Sequence, residues 1–168
     1  MKTAFITATA VAAILGAAPL AQADEFELRI GAGHPTSALW VGSIKDVFMT
    51  EVSSRVEAET DHTVKWTEAF GGTVCKLGEC LEAVESGLLD FADVEAAFEP
   101  SKLIANNFSY FVPFGATDPV VAQKAAAEVY ESTPALKELL SKRYNQNYIG
   151  SGVVANYCLL YTSPSPRD

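Results

Sequence analysis

The chain has 168 residues and a formal net charge of −9. That length suggests one modest domain, and the acidic balance argues against a nucleic-acid partner, which needs a basic face. It carries three cysteines, Cys75, Cys80 and Cys158; the C-x4-C spacing of the first two is neither a zinc nor a thioredoxin signature, which argues against metal or redox chemistry.

Residues 1–23 read as a cleavable secretory signal. Lys2 supplies the positive start, Ala4 to Leu20 is apolar and alanine-rich, and Ala21-Gln22-Ala23 is a small-residue cleavage site. The alternative is a membrane anchor, but threonines and Pro19 interrupt the apolar run, which is short for a span of ~20 apolar residues. The expectation is export to the periplasm, with no membrane insertion after cleavage.

A first strand is predicted over Phe26 to Ala32, where Phe26, Leu28 and Ile30 alternate with Glu27 and Arg29. Gly31 to Ser37 is the loop after it, with Thr36 or Ser37 able to cap the next helix. That helix should run from Ala38 to Glu59 on a buried stripe of Val41, Ile44, Phe48, Val52 and Val56. Thr60-Asp61-His62 closes it. A second strand (Val64, Trp66, Glu68) leads into Phe70-Gly71-Gly72. A helix follows with Leu77, Leu81, Val84 and Leu88 on one face, stopped at Ser86-Gly87. Phe91 to Val94 is a third strand, opening into the loop Glu95 to Pro100.

Strand, glycine loop, helix, turn, strand is a βαβ unit, so the strands should be parallel. Beyond Pro100 the chain is irregular or a short helix, with Phe108, Tyr110, Phe111 and Phe114 expected in the core. Asp118-Pro119 and Thr133-Pro134 each open a helix, Asp or Thr as cap and Pro in the first turn. Asn147 to Val154 is expected to be a fourth strand. The fold class is α/β, a mostly parallel sheet flanked by helices.

Ligands of open α/β sheets bind at the loops beyond the strands' carboxyl ends. That puts Phe70-Gly71-Gly72 and the loop from Glu95 to Phe98 on one rim. His34, in the first strand–helix loop, is either a ligand contact or a capping and packing histidine. His62 belongs to the opposite end of the sheet. Gly71 and Gly72 fit a tight turn or a close backbone approach, since neither phosphate-loop pattern is present. Glu68 and Glu95 lie near the ends of adjacent strands and could be acid and base, or hydrogen-bond acceptors for a hydroxyl or ammonium group. No G-x-S-x-G, H-E-x-x-H or S-x-x-K pattern supports catalysis. Trp40, Phe70 and Phe98 could wall an apolar pocket or belong to the core.

Cys75 and Cys80 would stand roughly 8–9 Å apart on one continuous helix, too far to bridge. With Cys75 in the loop and the helix starting near Lys76 to Gly78, a bridge is feasible; otherwise the two are small buried apolar side chains.

Several stretches together are similar to the solute-binding proteins of tripartite ATP-independent periplasmic (TRAP) transporters, DctP type. They are LRIGAGHP, the long helix, EAFGGTVCKLGECLEAVESGLLDFADV, FEPSKL and YFVPFG. The resemblance covers Phe26 to Tyr157. It implies two α/β lobes that close on a ligand, a small organic acid as cargo, no cofactor or metal, and delivery to a membrane permease driven by an ion gradient. The chain would hold most of the first lobe of a periplasmic-binding-protein-like fold and its first crossing strand, the second lobe being largely missing. The arginine with which that lobe usually grips a carboxylate has no counterpart, because the resemblance stops after Tyr157.

Cys158 to Asp168, CLLYTSPSPRD, resembles the translation of a transposon-type sequencing adapter; the alternative is a Pro/Ser-rich tail. Such a half-clamp should bind weakly. With Glu68 and Glu95 facing the cleft and no basic residue near them, it should disfavour a dianion. It should prefer one carboxylate combined with hydroxyl or ammonium groups. The rival readings are a ligand-binding domain of another importer or of a chemoreceptor, and a periplasmic enzyme using Glu68 and Glu95.

Overall fold

A computed structural model describes residues 24–112 and 115–153. The expected signal segment, residues 1–23, together with Phe114, Val154 and the tail from Cys158, lies outside the described residues. The alternating run forms β1 (Glu25–Ala32), whose last three residues are buried. β2 (Thr63–Ala69) and β3 (Phe91–Asp93) pair with it on either side, both parallel, in the order β2-β1-β3. Glu25 stands opposite Thr63 and Gly31 opposite Ala69, while Ile30 stands opposite Phe91 and Ala32 opposite Asp93. β3 is short, and Asp90 sets its start. The Asp90 carboxylate accepts from the Arg29 backbone N–H at 2.8 Å and from its guanidinium at 2.9 and 3.0 Å. Those bonds hold the Asp90 carboxyl below its ordinary range.

The helix expected over Ala38 to Glu59 is continuous in span but not in kind. α1 (Leu39–Ser43) and α2 (Thr50–Glu59) are joined through a π-helical stretch, Ile44–Met49. A π turn holds roughly one more residue than an α turn, which rotates the face that follows. Val41 is buried as expected and Met49 joins it, while Val47 turns outward. Ile44, Phe48, Val52 and Val56 are half-buried. Phe48 meets Trp66 and Phe91 with ring centroids 6.2 Å away, and those two lie 5.7 Å apart. This aromatic trio seats the helical run on the sheet. The expected cap is absent. Ala38 occupies that position with no side-chain bond, and its N–H donates to the Pro35 carbonyl at 3.0 Å.

α3 (Cys80–Glu85) is shorter than its apolar spacing predicts. Leu81 is fully buried, but Leu77 and Leu88 are exposed, Leu88 by 58%. The shortening is at the start of α3, since Gly87, at φ +73°, closes the helix at the expected stop. Its N–H donates to the Val84 carbonyl, and that of Leu88 to Ala83, which completes a Schellman cap. The chain then turns so that Leu89, not Leu88, enters the core.

Cys75 sits in the loop before α3 and is bonded to Cys80, with Cα atoms 4.9 Å apart. Both are buried beside Ala69, Ala83 and Leu89. We expect Cys75→Ser with Cys80→Ser to lower stability by about 2 kcal/mol, from the entropy of a short closed loop. Urea unfolding of the oxidised and doubly substituted proteins checks it, and coincident midpoints would refute it.

Beyond the sheet, a 3-10 helix (Ala105–Phe111) precedes α4 (Pro119–Ser132) and α5 (Pro134–Tyr144). Asp118 caps α4 as expected, accepting from the N–H groups of Val120 and Val121 at 2.8 and 3.3 Å. Thr133 precedes Pro134 but makes no cap bond. Leu81, Leu103 and Tyr144 form a second core cluster, between α3 and α5.

Two expectations fail in this part of the chain. Tyr110 and Phe111 are not core but 69% and 67% exposed. Only Phe108 reaches α4, at 6.0 Å from the ring of Tyr130, and no described element lies over the other two. Residues 147–153 are not a strand. They lie against α4 instead, Tyr148 stacked on Tyr130 at 4.0 Å and the Ser151 carbonyl accepting from Gln123, and so pair with no strand of the sheet. Among the described residues no helix is long and apolar enough to cross a membrane.

Candidate functional site

Strand order reverses direction between β1 and β3, because β1 is followed in space by β2 on one side and by β3 on the other. The loops leaving such a pair diverge and leave a crevice at their carboxyl ends. His34 stands in that crevice. Its Nε2 lies 3.2 Å from Glu95 Oε1, off hydrogen-bond alignment. Its ring meets Trp40 edge-on at 5.2 Å and Phe98 at 6.4 Å. Sequence reasoning thus named four residues that the fold brings together: His34, Trp40, Glu95 and Phe98.

Gly71 and Gly72 join the same rim through their backbone. Gly71 N–H donates to the His34 carbonyl at 2.9 Å and Gly72 N–H to that of Ala32 at 3.1 Å. Both glycines have φ above +70°, so they form the tight turn that lets the second loop lie against the first. Phe70 is half-buried and belongs to no aromatic pair among the described residues.

Glu68 does not belong to the site. Lys45, from the π-helical stretch, bonds its Oε2 at 2.6 Å, so the expectation of a carboxylate with no base nearby is wrong for it. The π stretch and β2 border an open groove of about 600 Å³ that includes Lys45, Trp66 and Glu68. This groove shares no lining residue with the cavity beside Glu95. The pairing of Glu68 with Glu95 as two carboxylates on one cleft therefore fails. They flank β1 from opposite sides, and a salt bridge neutralises one of them. His62 is at the far end of the sheet, as expected, accepting from the Asp24 N–H at 3.0 Å and packing on Phe26.

Two acidic residues of the site escaped sequence reasoning. Asp93 ends β3, and burial together with the charge of Glu95 pushes its carboxyl up to about 6. His34 and Trp40 pull it the other way, yet Trp40 Nε1 and Asp93 Oδ2 do not reach hydrogen-bond geometry. Glu99 is 4% exposed. Its Oε2 accepts from Lys102 at 3.0 Å, and Lys102 also bonds Glu82. Burial raises the Glu99 carboxyl. The signal for Asp93 was present: a charge inside the apolar run Phe91 to Val94 is a polar group at the buried end of a strand. Nothing local marks Glu99, whose burial comes from the turn Ala96–Phe98 folding it under the rim.

Trp40 Nε1, Asp93 Oδ2, Glu95 Oε1 and Glu99 Oε1 are buried and find no hydrogen-bond partner among the described residues. Buried polar atoms are ordinarily satisfied, so the four gathered on this strand-end rim single it out as the candidate site. The arrangement offers one indole donor, an imidazole, three acceptor oxygens and two aromatic walls. Neither a family model nor a curated protein matches this chain.

Proposed function

We propose that this chain is the ligand-gathering lobe of an exported solute-binding protein of the TRAP type. In this reading it takes a small organic acid in the periplasm and presents it to a membrane permease. The observation that carries the proposal is the rim itself. Buried polar atoms without partners on Trp40, Asp93 and Glu95 lie around His34, and that of Glu99 lies on the cavity beside Glu95, at the divergence of β1 and β3, where open parallel sheets bind their ligands. The sequence resemblance over Phe26 to Tyr157 supplies the transporter class.

In this reading the site binds its ligand and leaves it chemically unchanged. The two glutamates that could have acted together as acid and base are apart. With Glu68 excluded, the preference for a ligand carrying hydroxyl or ammonium groups rests on Asp93, Glu95 and Glu99. A dianion would meet these three carboxylates with only His34 and the Lys102 already bonded to Glu99 to offset them.

One wall of a clamp gains little from ligand, because closure is stabilised only by contacts to both sides. The chain should therefore bind hydroxy or amino monocarboxylates at about millimolar Kd. The shifts should be confined to His34, Trp40, Asp93 and Glu95 in a nitrogen–proton correlation spectrum. Ligand should be recovered unchanged. Saturation at micromolar ligand would refute the half-clamp. Silence of those residues toward every carboxylate at tens of millimolar, or preference for succinate and malate, would refute the site assignment.

A further inference from the structure

Beneath the rim lies a cavity of about 10 Å³, bordered by Gly33, Leu77, Gly78, Asp93, Glu95 and Glu99. That is about the space one water occupies. We infer that this cavity is the seat of a primary ammonium group on the ligand, held by Asp93, Glu95 and Glu99. The inference rests on the reading of the rim as a ligand site and names the half of the ligand that enters first.

Three features argue for it. The first is count. Asp93 Oδ2, Glu95 Oε1 and Glu99 Oε1 are buried acceptors without partners, and a primary ammonium carries three donors and no acceptor. Glu99 is the decisive one, since its carboxylate is almost wholly enclosed and only its other oxygen is bonded, to Lys102.

The second is charge. Among the described residues, Asp93, Glu95, Glu99 and the neighbouring Glu82 are answered by Lys102 and by His34 alone, so the pocket is short of positive charge. Burial raises the carboxyls of Asp93 and Glu99, and the charge of Glu95 adds to the rise at Asp93. A cation supplied by the ligand removes that shortage.

The third is size. A primary ammonium is close to water in bulk, whereas a guanidinium or a quaternary ammonium is too large for the cavity. A metal ion fits the oxygens less well. Among the described residues no three acidic, histidine or cysteine side chains stand close enough to share one. Charge-assisted N–H bonds reach about 2.8 Å, further than the 2.0–2.6 Å of metal–oxygen contacts, and so tolerate wider spacing.

The test uses the whole chain, nitrogen-15 labelled, titrated at pH 7.5 with ethylammonium chloride. The Trp40 indole N–H and the amides of Gly33 and Gly78 should shift saturably. Potassium chloride and tetramethylammonium chloride at equal ionic strength should leave them in place. Glu99→Gln should weaken ethylammonium binding by about tenfold, the loss of one charged hydrogen bond. Glu95→Gln, at a less buried position, repeats the measurement should Glu99→Gln disturb folding.

No saturable shift with ethylammonium, an equal response to potassium or to tetramethylammonium, or undiminished binding in a folded Glu95→Gln protein would each overturn the inference. Glycolate provides the separation from the broader reading. If it moves the rim residues while ethylammonium does not, the ammonium seat is wrong and the organic-acid site stands. If ethylammonium binds and adding a carboxylate, as in β-alanine, gives no gain, the seat stands and the organic-acid reading fails.

Discussion

Gly33→Val is expected to lower stability by about 3 kcal/mol, the upper range for forcing atoms into a packed site. It should also abolish ligand-induced shifts at Trp40. A Cβ at residue 33 would stand 2.7 Å from the Leu77 backbone nitrogen, 2.8 Å from Leu77 Cδ2 and 3.0 Å from its Cα. The leucine side chain can rotate away, but the backbone cannot. The Cys75–Cys80 bridge closes the loop that carries Leu77, and Gly72 N–H ties the preceding turn to Ala32. The β1 loop would have to lift instead, carrying His34 away from Glu95. Urea midpoints for Gly33→Ala and Gly33→Val should fall in that order. Gly150→Ala, where an added Cβ meets nothing within 4 Å, should stay within about 0.5 kcal/mol of the parent, as surface changes do. An unchanged midpoint in Gly33→Val would mean that the two loops are not in contact.

Asp93→Asn is expected to do the opposite to stability while harming binding. The Asp93 carboxyl titrates near 6 in the fold, against an ordinary value of 3.8. The folded protein therefore holds a proton that the unfolded chain has already released between those values. Stability contributed by the protonated form is complete below about pH 4 and is lost as pH rises through 6. Above pH 7 the penalty for the buried charge approaches about 3 kcal/mol, two pKa units' worth. Asparagine carries no such penalty. The variant and parent should share a urea midpoint at pH 4 and separate steadily to pH 8, the variant being the more stable. Ethylammonium binding should weaken in the same protein. Parallel pH profiles would show that Asp93 is not held in a buried, electrostatically crowded position. A gain in stability bought by a loss of binding is the usual exchange at a site whose polar groups await a ligand.

The elements were legible where their cause is local. Alternation gave β1 and β2, and Asp118-Pro119 gave the start of α4, because each depends on residues a few positions apart. Legibility failed where a neighbour decides. The π stretch at Ile44–Met49 is invisible in the apolar spacing, which reads as one regular helix until Met49 has to meet the sheet. Asn147 to Val154 has the look of a strand, but its described part, to Val153, packs on α4 rather than on the sheet. Tyr110 and Phe111 are as apolar as Phe108, and only position relative to α4 separates them.

The site divides the same way. Strand-end reasoning named His34, Trp40, Glu95 and Phe98 because parallel topology puts the loops after β1 and β3 side by side. Glu68 was drawn in by the same rule and removed by a lysine from a segment twenty-three residues away in sequence.

By itself, then, the amino-acid order determined the parallel α/β unit, the rim on which the loops gather, and most of the side chains on it. These follow from periodicity and from the geometry of crossovers, both short-range properties. The tertiary structure alone decided which carboxylates share a cavity, which one a lysine neutralises, and how much room is left among them. Burial and charge are sums over everything nearby in space, and no stretch of sequence contains its own neighbours.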